Sequence, residues 1–272
     1  PVVILCHGFL ANQSTVVPYA ELIAQMGLLA FTFDFCGGGL GGRSDGRTVD
    51  MSVLTEKQDL KAVFQAVTAH PNVTDVSLLG CSQGGFVSAM VAKDLGAAQV
   101  RSLMLFYPAL CIPDDARKGS MMAYQFDPRN LPKVLGRFPM KLGAVYAQDV
   151  LTMDPYEEIR GYDGPTLLLH GTADRIVNIS YARQAKDCYP NLTYHEIEGG
   201  EHAFRKQHDV QAREYLHAFL QSLADGRFIL LFPGLVLQIL LREFRSGKGK
   251  KVCLWLNRLS RQKLPQRPDC AV

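Results

Sequence analysis

Two patterns of apolar residues alternate along the chain. Short runs at 2–5, 28–35, 76–79, 100–107 and 165–170 are mostly apolar, as expected of strands covered on both faces in a parallel sheet, and 192–197 reads as a further strand. Between them, apolar residues recur at helical spacing. Val17, Leu22, Ile23 and Met26 mark one helix, and Val87, Met90, Val91 and Leu95 another. The segment 179–189 reads as a third, and Tyr215, Leu216, Phe219 and Leu223 line one side of a fourth over 210–223. The helix expected over 51–69 points Leu54, Leu60, Val63, Phe64 and Val67 inward, with Glu56, Lys57, Asp59 and Lys61 assigned to the outer face. Regular alternation of strand and helix predicts an α/β fold, with a mostly parallel, doubly wound sheet.

Residues 109–164 break that rhythm with five prolines and only short helical patches. Aromatic and apolar residues are frequent there, including Tyr124, Phe126, Tyr146 and Tyr156, which favours a cap over a site rather than a disordered insertion. Regularity returns at 165 and holds to about 225, so the expected organisation is one domain over 1–225, with 109–164 as a cap insertion. The tail, 226–272, differs in kind. An apolar stretch at 228–241 is too short to span a bilayer as a helix, which needs about 20 residues, and a basic segment follows it. The tail is expected to be an extension foreign to the domain, with a membrane-surface or nucleic-acid contact as the lesser alternative.

Composition narrows the class. At 272 residues, with 47% hydrophobic and 20% charged residues, the chain suits one large globular domain rather than a disordered or fibrous protein. The net charge of +3 hides an asymmetry: residues 226–272 hold ten Lys or Arg against two acids, leaving 19 bases and 24 acids in the body. Seven scattered cysteines without any C-x-x-C spacing fit reduced thiols in the cytoplasm better than a disulfide framework or a zinc site. His70, His195, His208 and His217 have no ligand pattern around them. The glycine-rich segment 36–50 offers neither Gly-Lys-Ser/Thr nor G-x-G-x-x-G before a helix, which argues against a nucleotide site. Because residue 1 falls inside an expected buried strand, the start of the domain is expected to lie upstream.

Candidate chemistry lies just after the expected strands, where sites form in open parallel sheets. Gly80-Cys81-Ser82-Gln83-Gly84 joins a strand to a helix, a turn that lifts a serine hydroxyl clear of the sheet. Asp174 follows the strand at 165–170, and His202 follows the one at 192–197. A serine hydroxyl needs an imidazole to take its proton, and the imidazole needs a carboxylate to fix its tautomer. Ser82, His202 and Asp174 are therefore the expected catalytic residues, with the backbone N–H groups of Phe9 and Gln83 as oxyanion donors. Asp34 is the alternative acid, and Glu198 a weaker one. His7 and His170, beside glycines at strand ends, are expected to be structural. Cys81 is expected to turn toward the core.

His7-Gly8-Phe9, Gly80-Cys81-Ser82-Gln83-Gly84-Gly85, His170 to Val177 and Gly199-Gly200-Glu201-His202-Ala203-Phe204 together resemble the bacterial α/β-hydrolases of the cinnamoyl (feruloyl) esterase group. The resemblance spans about 1–224. It implies an α/β-hydrolase fold and hydrolysis of small or aromatic acyl esters through an acyl-enzyme, with no cofactor or metal. It also implies a small-molecule ester as the partner, with no nucleic acid or membrane. A serine peptidase, thioesterase or acyltransferase of the same fold, or an inactive fragment, is the alternative. Members of that group carry a strand hairpin ahead of the His-Gly turn, which this sequence lacks, and end near the helix after the histidine. Tyr124, Phe126, Tyr146 and Gln148 of the expected cap are the candidate pocket residues.

Overall fold

The computed structural model describes residues 1–136, 138, 140–223, 236–241 and 254–258. Six parallel strands form the centre of the sheet: β1 (Val2–Cys6), β2 (Leu29–Phe33), β3 (Val76–Cys81), β4 (Val100–Phe106), and, after the insertion, β9 (Thr166–Gly171) and β10 (Leu192–Ile197). Their order across the sheet is β10-β9-β4-β3-β1-β2. The chain runs outward from β1 to β2, then crosses to the other side of β1 to lay down β3. The order therefore reverses at the β1/β3 boundary, the position at which open α/β sheets leave a crevice beyond the strand ends. Beyond β2 the sheet continues with β11 (Val236–Leu241), parallel to β2, and β12 (Leu254–Arg258), antiparallel to β11. A segment of the expected foreign extension thus pairs with the domain's sheet. The rest of 226–272 lies outside the described residues.

The pleat divides each strand between two apolar layers. Val2, Ile4 and Cys6 of β1 pack with α2 (Val53–Thr68) and α3 (Gln83–Leu95). Val3 and Leu5 face α1 (Val17–Gln25) and the last described helix, α7 (Gln207–Ser222), from which Tyr19, Ile23, Leu216 and Phe219 fill the second layer. Burial on both faces explains why the strands other than β10 read as mostly apolar runs rather than alternating ones; β10, at the end of this series, has a single buried residue, Ile197.

The described residues of the insertion build on the first layer. Helix α4 (Ile112–Lys118) leads into two small antiparallel ribbons, β5 (Ser120–Met121) with β6 (Tyr124–Gln125) and β7 (Val134–Gly136) with β8 (Leu142–Gly143). Two short helices follow, α5 (Val145–Gln148) and α6 (Pro155–Ile159). Met121, Tyr124, Leu142, Tyr146 and Tyr162 are buried in the same cluster as the α2 and α3 side chains. Ser52 caps α2 by accepting from Leu54 and Thr55 N–H, and its hydroxyl donates to Asp149 at 2.5 Å, tying α2 to the insertion. Among the described residues no helix is long and apolar enough to cross a membrane.

Candidate active site

Each chemical group sits where a strand ends. β3 delivers Ser82 into a backbone conformation of φ 54° and ψ −121°, unfavourable for a residue with a Cβ and held by what surrounds it. Ser82 N–H donates to Phe106 O at 2.9 Å, and Ser82 O accepts from Ala109 N–H at 2.9 Å, so the end of β4 grips the turn from both sides. The flanking glycines are required by space. A Cβ on Gly80 would lie 2.2 Å from Gly84 O, and one on Gly84 2.3 Å from His7 O.

β9 and β10 bring the other two groups to the hydroxyl. His202 Nε2 lies 2.9 Å from Ser82 Oγ, and His202 Nδ1 lies 2.7 Å from Asp174 Oδ2. A carboxylate at Nδ1 selects the tautomer with its proton there, leaving Nε2 free to accept from the serine. Asp174 Oδ1 accepts from Ile176 and Val177 N–H, both at 2.9 Å, so the carboxylate is oriented by its own loop. Burial alone would raise the Asp174 carboxyl. Hydrogen bonds from His170 and His202, with the His202 charge, outweigh it and hold the carboxyl well below the usual range.

The remaining expected residues have equally definite places. Phe9 and Gln83 stand on either side of the serine turn, after β1 and at the start of α3. Among the described residues neither N–H donates to another backbone group, as expected for the first residue of a helix. His7 Nε2 accepts from Phe35 N–H at 3.1 Å, while Nδ1 lies 2.9 Å from Gly8 O. Burial lowers its pKa, so the neutral ring joins the ends of β1 and β2. His170 Nε2 lies 2.9 Å from Val177 O and 3.2 Å from Asp174 Oδ2, bracing the Asp174 loop. Asp34 accepts from Gln13 N–H (2.7 Å), Gln13 Nε2 (3.0 Å) and Arg43 N–H (2.8 Å). It clamps two loops, and the carboxylate at His202 is that of Asp174. Glu198 is exposed. Cys81 is buried, which pushes its thiol up to about 12. Among the described residues no cluster of His, Cys, Asp or Glu could hold a metal ion.

Residues 1–156 match the family described as serine aminopeptidase, S33. The chain belongs to that family. This S33-family hydrolase has the α/β-hydrolase fold, seen also in Est1E from Butyrivibrio proteoclasticus with ferulic acid bound. The two are 24% identical with a TM-score of 0.73, over 82% of this chain and 90% of that one. A monoacylglycerol lipase from Paleococcus ferrophilus is 18% identical with a TM-score of 0.60, covering 81% of this chain and 94% of the other. Mouse alpha/beta hydrolase domain-containing protein 10 is also 18% identical with a TM-score of 0.60, covering 84% and 91%. No curated protein matches in sequence.

Two cavities of the S33-family hydrolase meet at Ser82. The larger, about 480 Å³, is lined by Ser82, His202, Tyr19, Tyr107 and the segment from Ala203 to Lys206. The smaller, about 40 Å³, lies under the insertion and is lined by Gln83, Ala109, Met121, Tyr146 and Val177. Of the four candidate pocket residues only Tyr146 lines either cavity. Tyr124 is buried with its hydroxyl on Met140 O at 2.5 Å, a packing role. Phe126 packs at the edge of the core, and Gln148 is exposed on α5.

Sequence reasoning missed two contributors to the site. Tyr107, at the end of β4, sets its ring edge-on to His202 with centroids 4.7 Å apart, and also packs on Phe204. Glu56, assigned to the outer face of α2, is buried at 1% exposure. Burial holds its carboxyl well above the usual range, with the Gln83 side chain acting in the opposite direction, and its Oε2 has no hydrogen-bond partner among the described residues. Tyr146 OH donates to Gln83 Oε1 at 2.5 Å from the other side. The side chain of Gln83 is therefore held between Met51, to whose Sδ its Nε2 donates at 3.7 Å, and the insertion. The signal was present: 56, 60, 63 and 67 share one helical face, and charge rather than position put Glu56 outside. Asp59, also assigned outward, is half-buried, accepts from Cys36 N–H at 2.8 Å, and is raised to about 6 by burial.

Glu56→Ala should lower stability by about 3 kcal/mol through the cavity it leaves, and Glu56→Gln by much less. The folded protein retains a proton on Glu56 that the unfolded chain loses above about pH 4.3. Stability should therefore fall as pH rises from there toward the folded pKa. Urea unfolding across pH 4–8 tests this; an unchanged slope in Glu56→Gln would show that Glu56 does not carry it.

Proposed function

We propose that the protein is a cofactor-free serine carboxylesterase acting on small or aromatic acyl esters. The observation that carries this reading is the pair of contacts at His202, 2.9 Å to Ser82 Oγ and 2.7 Å to Asp174 Oδ2. Ser82 Oγ attacks the ester carbonyl as its proton passes to His202 Nε2, and Asp174 stabilises the imidazolium. The N–H groups of Phe9 and Gln83 receive the oxyanion. Collapse gives the acyl-enzyme, with the proton going from His202 to the alcohol oxygen. Water, deprotonated by the same imidazole, then releases the acid and restores Ser82.

The smaller cavity supports an acyl group that is short as the walls stand. An aromatic acyl group, as in the ferulic acid of the Est1E structure, requires Met122 and Ile176 at the rim to move aside. Both line the cavity and are about half exposed. The family description favours a second reading, an aminopeptidase, for which Asp115 is the carboxylate lining the acyl cavity. Turnover of p-nitrophenyl acetate, methyl ferulate, an aminoacyl amide and an acyl thioester separates the readings. Esters are expected to be hydrolysed at least a hundredfold faster than the amide, on the order of the kcat/KM discrimination that enzyme sites reach. Faster cleavage of the aminoacyl amide would replace this proposal with the peptidase reading.

A further inference from the structure

The two cavities differ in which catalytic group they contain, and that difference assigns them. In acyl transfer the imidazolium must reach the leaving oxygen, so the alcohol half of an ester lies on the histidine's side of the serine. His202 lines the larger cavity and not the smaller one; Gln83 and the insertion line the smaller and not the larger. The larger cavity is therefore the place for the alcohol, and its volume of about 480 Å³ admits a sizeable one.

Its charge is one-sided. Arg205, Lys206 and Arg213 line it together with a single carboxylate, Asp209. That carboxylate is already engaged, accepting from Tyr19 OH at 2.9 Å and from Arg213 Nε at 2.8 Å. Arg213 is held in addition by Pro18 O at 3.2 Å and lies over the Tyr19 ring. Arg205 and Lys206 have no side-chain hydrogen bond or ion pair among the described residues. They stand three and four residues past His202, on a segment fixed by buried Phe204 packing against Tyr107 and Phe106. Positive φ angles at Ala203 (55°) and Lys206 (51°) set the course of that segment. The body of the chain has more acids than bases, so two uncompensated cations beside the nucleophile run against the surrounding charge.

We propose that the larger cavity is an anion-selective leaving-group subsite, in which Arg205 and Lys206 bind a carboxylate or phosphate carried by the alcohol half of the ester. The assignment rests on the esterase reading above and adds the chemical class of the leaving group. After collapse of the tetrahedral intermediate the alcohol departs with its oxygen protonated by His202 and its anion still held at the rim. The acid then forms from the acyl-enzyme and water.

Three acetate esters test it: those of 4-hydroxybenzamide, 4-hydroxybenzoate and 4-hydroxyphenyl phosphate. Each kcat/KM is divided by the ester's own alkaline hydrolysis rate, to remove differences in leaving-group reactivity. At low ionic strength the two anionic esters should be preferred over the amide-bearing one by about tenfold, and added salt should shrink that preference. The larger ratio of the two names the anion. In Arg205→Glu/Lys206→Glu the anionic-to-neutral ratio should fall by at least about tenfold, and in Arg205→Gln/Lys206→Gln by about half as much on a logarithmic scale. Because the ratio is taken within one variant, any general loss cancels. Turnover of the neutral ester with a ratio blind to salt and to both variants would overturn the subsite and leave the esterase reading standing. No turnover of any ester would overturn both.

Discussion

Ser82→Ala should lower kcat for p-nitrophenyl acetate by about a millionfold, since the members of such a relay act as a unit and losing the nucleophile forfeits nearly all of their joint effect. Labelling by a fluorophosphonate probe should disappear with it. The alanine keeps the Cβ, and the backbone contacts of residue 82 with Phe106 and Ala109 do not involve the hydroxyl. The melting temperature should therefore stay close to that of the parent. Undiminished labelling of the variant would remove Ser82 from the mechanism. A folded variant that retains more than about one part in a thousand of kcat would do the same, because the oxyanion donors and binding alone leave a rate only about 10³–10⁴-fold above that in water, about a millionfold below the parent.

Asp174→Asn should cost about 10⁴-fold in kcat with little change in KM. The amide can still accept from Ile176 and Val177 N–H through its oxygen. Its NH₂ group then faces His202 Nδ1 and His170 Nε2, both of which donate to the native carboxylate. His202 must take the other tautomer, with its proton on Nε2, and can no longer accept from Ser82. The pH dependence of stability gives a second readout. The folded-state pKa of Asp174 lies below its unfolded value, because the histidine hydrogen bonds outweigh the cost of burial. Its contribution is complete above about pH 4 and fades as pH falls toward the folded value. Wild-type stability should therefore decline on acidification below about pH 4 more steeply than that of Asp174→Asn. Equal acid slopes, from thermal melts between pH 2.5 and 5, would show that the carboxylate is not stabilised as the geometry requires.

Much of the fold was legible because its signals are local. Five of the central strands, all but β10, are almost wholly buried, and this made them mostly apolar runs that needed no knowledge of the rest of the chain. The turn at Ser82 was legible for a similar reason: the close approaches at Gly80 and Gly84 exclude any other residue, so the requirement is written into the pentapeptide. Reading failed where a residue's environment is supplied from afar. Glu56 carries a charge in the chain, and only Gln83 and the surrounding core make its burial tolerable. Tyr124 and Phe126 are aromatic residues of an insertion, like Tyr146, and nothing local says which of the three lines a cavity with Ser82.

By itself the sequence determined the alternation of strand and helix, the turn that holds Ser82, and the placing of Asp174 and His202 just past strands, since each follows from contacts among near neighbours. Only the tertiary structure decided that His202 lies 2.9 Å from a serine 120 residues earlier in the chain. It also decided that Asp174 rather than Asp34 meets His202, and that two cavities of different charge open on either side of Ser82. The reason is the crossing of the chain at β1 and β3. That crossing, not sequence distance, determines which loops share the crevice at the strand ends.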